Sequence, residues 1–243
     1  MQSMLIFGET VRTPDVRTLY DMKEVIADKD WLQTADYFNL YYMYRELAQD
    51  EEELKLMRKF GLRYDITVIP PARLGKEYVK TAGHYHPRAP DAEVSYPEVY
   101  QVLEGEAVYL LQRVEGSKVL DVVVIEAEKG DVVLVPPDYG HITINRSETT
   151  LKMANWVCSR FSSIYEPIRK FGGGAYYLLD EGFMVNTCYS EVSEIRELSP
   201  ADLSKYGIFE GEDIYELVNG IERLGFLKEP QDFSDIFIKF LTM

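Results

Sequence analysis

The sequence predicts an all-β core with helical segments at both ends. Between Leu62 and Cys188, short runs rich in Val, Ile and Tyr follow one another, and turn residues separate them. These runs have no helical pattern between them, which favours a β-sandwich or barrel over alternating strands and helices. Before and after this region, apolar residues recur at helical spacing.

The segment from residue 15 to residue 60 is predicted to be helical or mixed. Apolar residues recur there at helix-like spacings, as at Leu40, Tyr44 and Leu47. The acidic run Asp50–Glu53 interrupts this pattern, and we expect it to form a solvated turn.

The central region predicts nine strands, because its apolar residues alternate with polar ones between turn signals. The nine are Tyr64–Ile69, Glu98–Leu103, Ala107–Val114, Val119–Ala127, Asp131–Val135, His141–Asn145, Thr150–Val157, Ala175–Leu179 and Phe183–Cys188.

The tail is predicted to be helical. Ser199 is suited to be an N-cap with Pro200 at the first helical position, and Asp213–Leu227 has apolar residues at helical spacing. We therefore divide the chain into a β domain with an N-terminal helical and strand arm (1–194) and a C-terminal helical extension (195–243). The apolar segment Phe233–Leu241 suits either an interface between subunits or the core of one chain.

Composition excludes several classes of function. The chain has 26 Lys and Arg against 41 Asp and Glu, a formal net charge of −15, which would repel nucleic acid. No apolar run approaches the length of a membrane span, and the N-terminal 30 residues do not resemble a signal peptide. We expect a cytoplasmic protein whose two cysteines, Cys158 and Cys188, are both free and buried.

The three histidines of the chain predict a metal site. His84 and His86 stand two apart, so on a strand both side chains project from one face. With His141 and Glu98 they would supply three imidazoles and a carboxylate, a set that suits Fe²⁺, Mn²⁺, Ni²⁺ or Zn²⁺. Glu93 is an alternative carboxylate, but Glu98 has the better spacing to a following glycine.

At these residues the chain resembles the cupins. Their first motif, an HxH pair followed by Glu and then Gly, matches His84, His86, Glu98 and Gly105, although the gap before Glu98 is long. Their second motif matches the segment from Gly130 through His141 to Asn145. The resemblance implies the cupin double-stranded β-helix, or jelly roll, with one divalent ion per subunit.

Within the cupins, the chain is most similar to the cupin-type phosphoglucose isomerases. The likeness includes Thr81-Ala-Gly-His-Tyr-His86 and Glu98-Val-Tyr100, and it extends to Val16–Met22 near the N-terminus. It implies a metal-dependent enzyme, with Fe²⁺ as the expected ion, that interconverts glucose 6-phosphate and fructose 6-phosphate, an aldose–ketose isomerisation in glycolysis and gluconeogenesis. It also implies a phosphorylated sugar as the partner and a homodimer as the assembly.

The expected reaction suggests a role for Glu98, and the resemblance implies roles for other residues. At the metal and on the substrate side, Glu98 is the candidate general base, or only a metal ligand if hydrogen moves as a hydride. One tyrosine of the group Tyr41 to Tyr44, with Tyr41 preferred, would bind the phosphate unless the group only packs. Tyr100 could likewise be a core residue. The residues implied to bind substrate are Thr67, Thr81, Gly83 and Tyr41 at the phosphate and Tyr100 and Tyr165 at the sugar.

Three other functions fit the same motifs. The chain could act on mannose 6-phosphate or another aldose phosphate. It could be a cupin dioxygenase, because that chemistry uses the same ligands. It could also bind a sugar phosphate without turning it over.

Overall fold

The structure, a computed structural model, describes residues 4–241, with side chains from residue 4 to residue 237. Residues 1–3 of the predicted first domain and residues 242–243 of the predicted extension lie outside this range. The strands in the described part of the chain are β1 (Leu5–Phe7), β2 (Thr10–Arg12), β3 (Asp15–Thr18), β4 (Asn39–Tyr44), β5 (Leu62–Ile69), β6 (Arg73–Leu74), β7 (Glu77–Lys80), β8 (Glu98–Glu104), β9 (Glu106–Glu115), β10 (Lys118–Glu128), β11 (Val132–Val135), β12 (Gly140–Asn145), β13 (Leu151–Cys158), β14 (Tyr176–Leu179), β15 (Gly182–Val185), β16 (Glu191–Val192) and β17 (Ile195–Leu198).

Helices lie before, between and after these strands. They are α1 (Leu19–Met22), α2 (Lys29–Thr34), α3 (Glu51–Phe60), α4 (Glu166–Lys170) and α5 (Ser234–Leu241), with 3₁₀ helices at Ser204–Tyr206, Ile214–Leu227 and Pro230–Phe233. No helix in residues 4–241 is both long and apolar enough to cross a membrane.

Two large, mostly antiparallel sheets form the core. One has the order β15-β14-β7-β12-β9-β10, with β16 and β17 beside β10 and β6 beside β7. The other has the order β11-β8-β13-β5-β4-β3. Several pairs of consecutive strands lie in different sheets, among them β7 and β8, and β11 and β12. This is a double-stranded β-helix with helical additions, so the predicted fold class is confirmed.

All nine predicted strands are present, as β5 and as β8 to β15. The last of them ends at Val185 rather than Cys188. Cys158 is buried as predicted, whereas Cys188 is exposed, so the prediction that both cysteines are buried was wrong for Cys188. Neither cysteine is in a disulfide.

The segment from residue 15 to residue 60, predicted to be helical or mixed, is mixed: the helix-like spacing of Leu40, Tyr44 and Leu47 falls partly on strand β4, and α3 follows it. Leu40 and the adjacent Tyr41 are both buried, so this strand is covered on both faces and lacks the simple alternation that marks a half-exposed strand. The acidic run is also more than a turn. Asp50 is the N-cap of α3, and its carboxylate accepts hydrogen bonds from the N–H groups of Glu52 and Glu53 at 2.8 and 2.9 Å.

The tail packs on the β core through aromatic side chains. The Trp156 indole N–H donates to the carbonyl of Ile214 at 2.7 Å, and the Tyr215 ring lies 4.9 Å from that of Tyr64. Ile236 and Phe237 are buried. For the segment Phe233–Leu241, this burial favours a place in the core of one chain over an interface between subunits.

Two local features of the tail differ from the helical prediction. β17 pairs in parallel with β10, and no helix begins at Ser199. The N–H of Ala201 instead donates to the carbonyl of Val132 at 2.9 Å, which attaches this segment to the sheet. The division of the chain at residues 194 and 195 stays a prediction.

Candidate active site

The four predicted metal ligands converge on one point between the sheets. His84 and His141 form an isolated antiparallel bridge, with the His141 N–H donating to the His84 carbonyl at 3.0 Å. His86 lies two residues further along the same segment, and Glu98 is the first residue of β8. One ligand atom from each of the four lies within 4.8 Å of every other.

Gly83 positions the histidine pair. Its φ of +73° is in the left-handed region, and a Cβ there would lie 2.5 Å from Cγ1 of Ile142. A residue with a side chain would therefore be strained at the position just before His84.

The ligand atoms face one another at short range. His84 Nε2 lies 3.2 Å from His86 Nε2, and Glu98 Oε2 lies 3.3 Å from His86 Nε2 and 3.2 Å from His141 Nε2. Two ligands of one ion can have these separations, because each bond is about 2.0–2.2 Å long. His86 Nδ1 donates to the carbonyl of Tyr96 at 2.9 Å, which leaves its Nε2 lone pair facing the cluster.

The cluster favours the protonation states that a metal ion requires. Burial lowers the pKa of His84 well below its ordinary value, and the neighbouring His141 and His86 lower it further. Burial also lowers the pKa of His141, so both imidazoles stay neutral. Burial alone would raise the pKa of Glu98, but the close approach of His141 and His86 outweighs it and holds that pKa well below its usual range. Glu98 is thus ionised.

The two oxygens of the Glu98 carboxylate have different surroundings: one accepts a hydrogen bond and the other faces the histidines. The Asn155 side chain donates to Oε1 at 2.7 Å. Oε2 is buried and accepts no hydrogen bond that meets ordinary geometric criteria. A buried carboxylate oxygen without a donor, facing neutral imidazoles, fits a divalent cation. Glu93, the alternative carboxylate, is outside the cluster: its side chain is 97% exposed.

The predicted site residues line one cavity beside the cluster. Those on its wall are Tyr41, Thr67, Thr81, Gly83, His84, His86, Glu98, Tyr100, His141 and Tyr165.

Hydroxyl groups line the part of the cavity where the phosphate is expected. The Tyr41 hydroxyl accepts a hydrogen bond from the N–H of Ala82 at 3.1 Å, and the Thr81 hydroxyl accepts one from the N–H of Thr143 at 3.0 Å. Each hydroxyl keeps its own proton to donate. Burial raises the pKa of Tyr41 to about 12, so its hydroxyl stays protonated at neutral pH.

The two tyrosines expected at the sugar lie against the histidines. The Tyr100 hydroxyl is 3.1 Å from His141 Nε2, and the Tyr165 ring lies 5.4 Å from that of His84. Tyr100 is 5% exposed, so it belongs to the core and also borders the metal cluster.

Three arginines near the cavity were missed by the sequence analysis. Arg45 and Arg63 line it, together with the buried Asp65. Arg17 lies behind Tyr165, with its guanidinium carbon 5.2 Å from the ring centroid. Its buried Nε has no hydrogen-bond partner among the residues described. For Arg63 a signal was available: it directly precedes the predicted strand Tyr64–Ile69 and alternates with Asp65 and Thr67, which places all three on one face if the strand begins earlier, as β5 does.

Comparison with known families agrees with this geometry. The family model described as "Glucose-6-phosphate isomerase (GPI)" matches residues 16–193, well over half of the chain. The chain belongs to this family. The matched region contains both halves of the metal cluster and every residue expected to bind substrate.

Curated relatives carry the same name. Glucose-6-phosphate isomerase from Thermococcus litoralis is 34% identical over 134 residues, 55% of this chain and 63% of that protein. The Pyrococcus furiosus enzyme is 34% identical over 131 residues, 54% of this chain and 62% of that protein. A putative glucose-6-phosphate isomerase from Rhizobium meliloti is 30% identical over 125 residues, 51% of this chain and 54% of that protein. The chain thus spans less than two thirds of these relatives' length.

Solved structures that resemble part of the chain include an oxalate oxidase bound to glycolate, with a TM-score of 0.40 and 17% identity over 55% of this chain and 58% of that one. Oxalate decarboxylase from Bacillus subtilis has a TM-score of 0.37 and 17% identity, covering 51% of this chain and 27% of the other.

Proposed function

We propose that the protein is a metal-dependent isomerase that interconverts glucose 6-phosphate and fructose 6-phosphate. The observation that carries the proposal is the convergence of His84, His86, Glu98 and His141 at a cavity that also presents the hydroxyls of Tyr41 and Thr81. Membership of the glucose-6-phosphate isomerase family supports the same substrate.

The phosphate would be held at the end of the cavity marked by Thr67 and Thr81. The Thr67 hydroxyl makes no hydrogen bond to another described residue, and the hydroxyls of Thr81 and Tyr41 each have a proton left to donate. Arg17, close behind Tyr41 on the neighbouring strand, supplies positive charge that the chain as a whole lacks. A dianion can therefore be received locally despite the net charge of −15.

The chemistry needs stabilisation of an enediol-like transition state, because hydrogen moves between C1 and C2 while negative charge builds on oxygen. A divalent ion, when bound at the four ligands, supplies a Lewis acid for that charge. The Tyr100 hydroxyl, kept protonated because burial raises its pKa well above the ordinary value, can donate a hydrogen bond at the same place. The cavity wall orients the substrate and limits the access of water.

For Glu98 we propose two alternative roles: the general base, or a metal ligand only. Its low pKa makes it a weak base, and Asn155 occupies one of its two oxygens. Both facts favour the version in which Glu98 is only a ligand and hydrogen moves as a hydride. Glu98→Gln with metal still bound decides between them: near-normal turnover would exclude the base role.

For the ion itself we propose Fe²⁺, with Mn²⁺, Ni²⁺ and Zn²⁺ as alternatives. Three imidazoles and one carboxylate suit borderline divalent ions and disfavour Ca²⁺ or Mg²⁺, which prefer oxygen ligands. Elemental analysis of the protein purified without added metal would identify the ion.

The proposed function is tested by measuring metal content together with turnover of glucose 6-phosphate. We expect activity in the metal-loaded protein, loss after chelation and recovery when the ion is returned. Glu98→Gln should lower metal content or turnover, whereas Glu93→Gln, which changes an exposed glutamate outside the cluster, should alter neither. Full activity after complete chelation would refute a metal-dependent mechanism.

The remaining expectations are proposals of the same kind. We propose a homodimer, supported by exposed apolar side chains at Ile6 and Val11 on the β1–β2 hairpin, and sedimentation of a monomer would contradict it. We propose a cytoplasmic location, supported by two cysteines that are not in a disulfide, and fractionation would test it. The acidic charge still argues against nucleic acid as a partner.

A further inference from the structure

Three cross-strand rows of side chains form one wall of the cavity. Arg63, Val157 and Glu98 lie opposite one another on β5, β13 and β8 and make the first row. The second row consists of Asp65, Asn155 and Tyr100, and the third includes Thr67 and Met153. Directly opposite residues project from the same face of a sheet, and all eight of these side chains line the cavity.

The positions of the three rows indicate how a sugar phosphate would be oriented in the cavity. Thr67, at the proposed phosphate end, is four residues from Arg63 along β5, a distance of about 13 Å. Glu98 shares its row with Arg63, two strands or about 10 Å away. The end of a sugar that lies away from the phosphate therefore meets the metal ligands on one side and Arg63 on the other.

Most N–H donors of the Arg63 guanidinium make no hydrogen bond to a residue that the structure describes. Its Nε donates to Asp65 Oδ2 at 2.9 Å, and this is its only hydrogen bond to a residue that the structure describes. A guanidinium carries five N–H groups, so four remain. The side chain is 21% exposed, and the guanidinium is therefore largely removed from solvent while it lines the cavity.

Asp65 fixes the arginine and is itself fully engaged. Its Oδ1 accepts the N–H of Glu46 at 2.9 Å, and Arg45 Nη1 lies 3.5 Å from its Oδ2. Arg45 also pairs with the exposed Asp15 at 2.9 Å. Asp65 is 3% exposed, and its carboxylate contacts both Arg45 and Arg63. It therefore orients both guanidinium groups, while Arg63 keeps N–H groups that it can donate to a ligand.

We propose that Arg63 and Arg45, held by Asp65, form a second anion-binding subsite in the cavity. It binds a carboxylate or phosphate at the end of a sugar phosphate opposite the first phosphate. The ligands it selects are phosphorylated sugar acids and sugar bisphosphates, which occupy the cavity in place of a monophosphorylated hexose. An arginine fork suits such groups, because it can make two parallel charge-assisted hydrogen bonds. The subsite deepens the proposed function and rests on it for the position of the first phosphate.

Calorimetric titration with two matched ligands tests the subsite. 6-Phosphogluconate carries a carboxylate at C1, and glucitol 6-phosphate carries a neutral hydroxyl there. We expect Arg63→Gln to weaken binding of 6-phosphogluconate about tenfold or more and to leave glucitol 6-phosphate within about twofold. Arg63→Lys should recover part of the loss, because it keeps the charge but not the fork.

The controls separate this proposal from its alternatives. Arg146→Gln changes an arginine that pairs with Glu126 outside the cavity, and it should affect neither ligand. Titrations with and without bound metal separate Arg63 from the ion, which can also attract a carboxylate, and the Arg63 effect should persist in both. Equal weakening of the two ligands by Arg63→Gln, or no weakening of either, would overturn the subsite. Binding is read without turnover, so a protein that fails as an isomerase would still give the answer.

Discussion

The side-chain amide of Asn155 donates a hydrogen bond of 2.7 Å to Oε1 of Glu98. Asn155 lies on β13, next to the strand that begins with Glu98, and only 5% of it is exposed. The bond fixes the plane of the carboxylate, so that Oε2 is the oxygen that faces His86 and His141.

Asn155→Ala should therefore weaken metal binding. Partners that orient a ligand in this way typically contribute a factor of about 10–100 in affinity. Competition with a chelator of known affinity measures the effect, and Asn219→Ala, which alters an asparagine bonded to Glu216 in the tail, serves as the control. Unchanged affinity in a folded Asn155→Ala protein would show that the carboxylate is oriented by other contacts.

Arg17→Gln should weaken binding of the substrate phosphate. The buried Nε has no partner among the described residues, and the guanidinium packs over Tyr165 at the cavity wall. We expect the KM for glucose 6-phosphate to rise about tenfold with a smaller change in kcat, since the charge acts on the phosphate rather than on the reacting carbons. Inorganic phosphate should lose affinity in parallel, and Arg17→Lys should be milder. A fall in kcat alone would place Arg17 in another role.

The stability of the protein should fall above pH 10, partly through Tyr41. Burial raises its pKa to about 12, whereas an unfolded tyrosine has a pKa of about 10. The folded state thus keeps a proton that the unfolded state has lost, so this contribution is complete below pH 10 and is lost as the pH rises towards 12. Between pH 9 and pH 11, the loss of stability measured by urea unfolding should be about 1 kcal/mol smaller in Tyr41→Phe than in the unaltered protein. The same change at the exposed Tyr37 should leave the pH dependence as it is.

Tyr215 should be a main anchor of the tail. Its ring packs against Tyr64 and Phe7, and its hydroxyl donates to Glu53 while accepting the N–H of Gln49 at 2.7 Å. We expect Tyr215→Ala to lower the free energy of unfolding by about 3–5 kcal/mol and Tyr215→Phe by about 1 kcal/mol.

Urea unfolding measures both changes at Tyr215. Tyr20→Ala, at a tyrosine that is 65% exposed, should change the free energy of unfolding by less than about 0.5 kcal/mol. If Tyr215→Ala were as mild as this control, the tail would be held by other contacts.

The cluster of candidate metal ligands could be predicted from sequence because its signal is local. His84 and His86 share a strand face by their spacing alone, and the residues around Glu98 and His141 follow known motifs. The nine central strands were also predictable, since most of them have alternating apolar residues between clear turns.

The partners of the cluster could not be predicted, because they depend on register. Asn155 can contact Glu98 only because β13 pairs with β8. Arg63 lies in the same cross-strand row as Glu98 only because β13 also pairs with β5. Residues about 35 to 60 positions apart in the chain become neighbours through that pairing. β4 was missed for a different reason: it is buried on both faces, so its apolar residues resemble a helix.

β16 and β17 pair in parallel with β10 and cover part of its edge. The long apolar strand β10 has 11 residues, and an uncovered edge of that length is a template on which other chains can polymerise. Strands of two and four residues cover it and present only short edges of their own. Removing the chain from residue 191 onward should therefore expose the edge of β10 and make the protein more prone to aggregate.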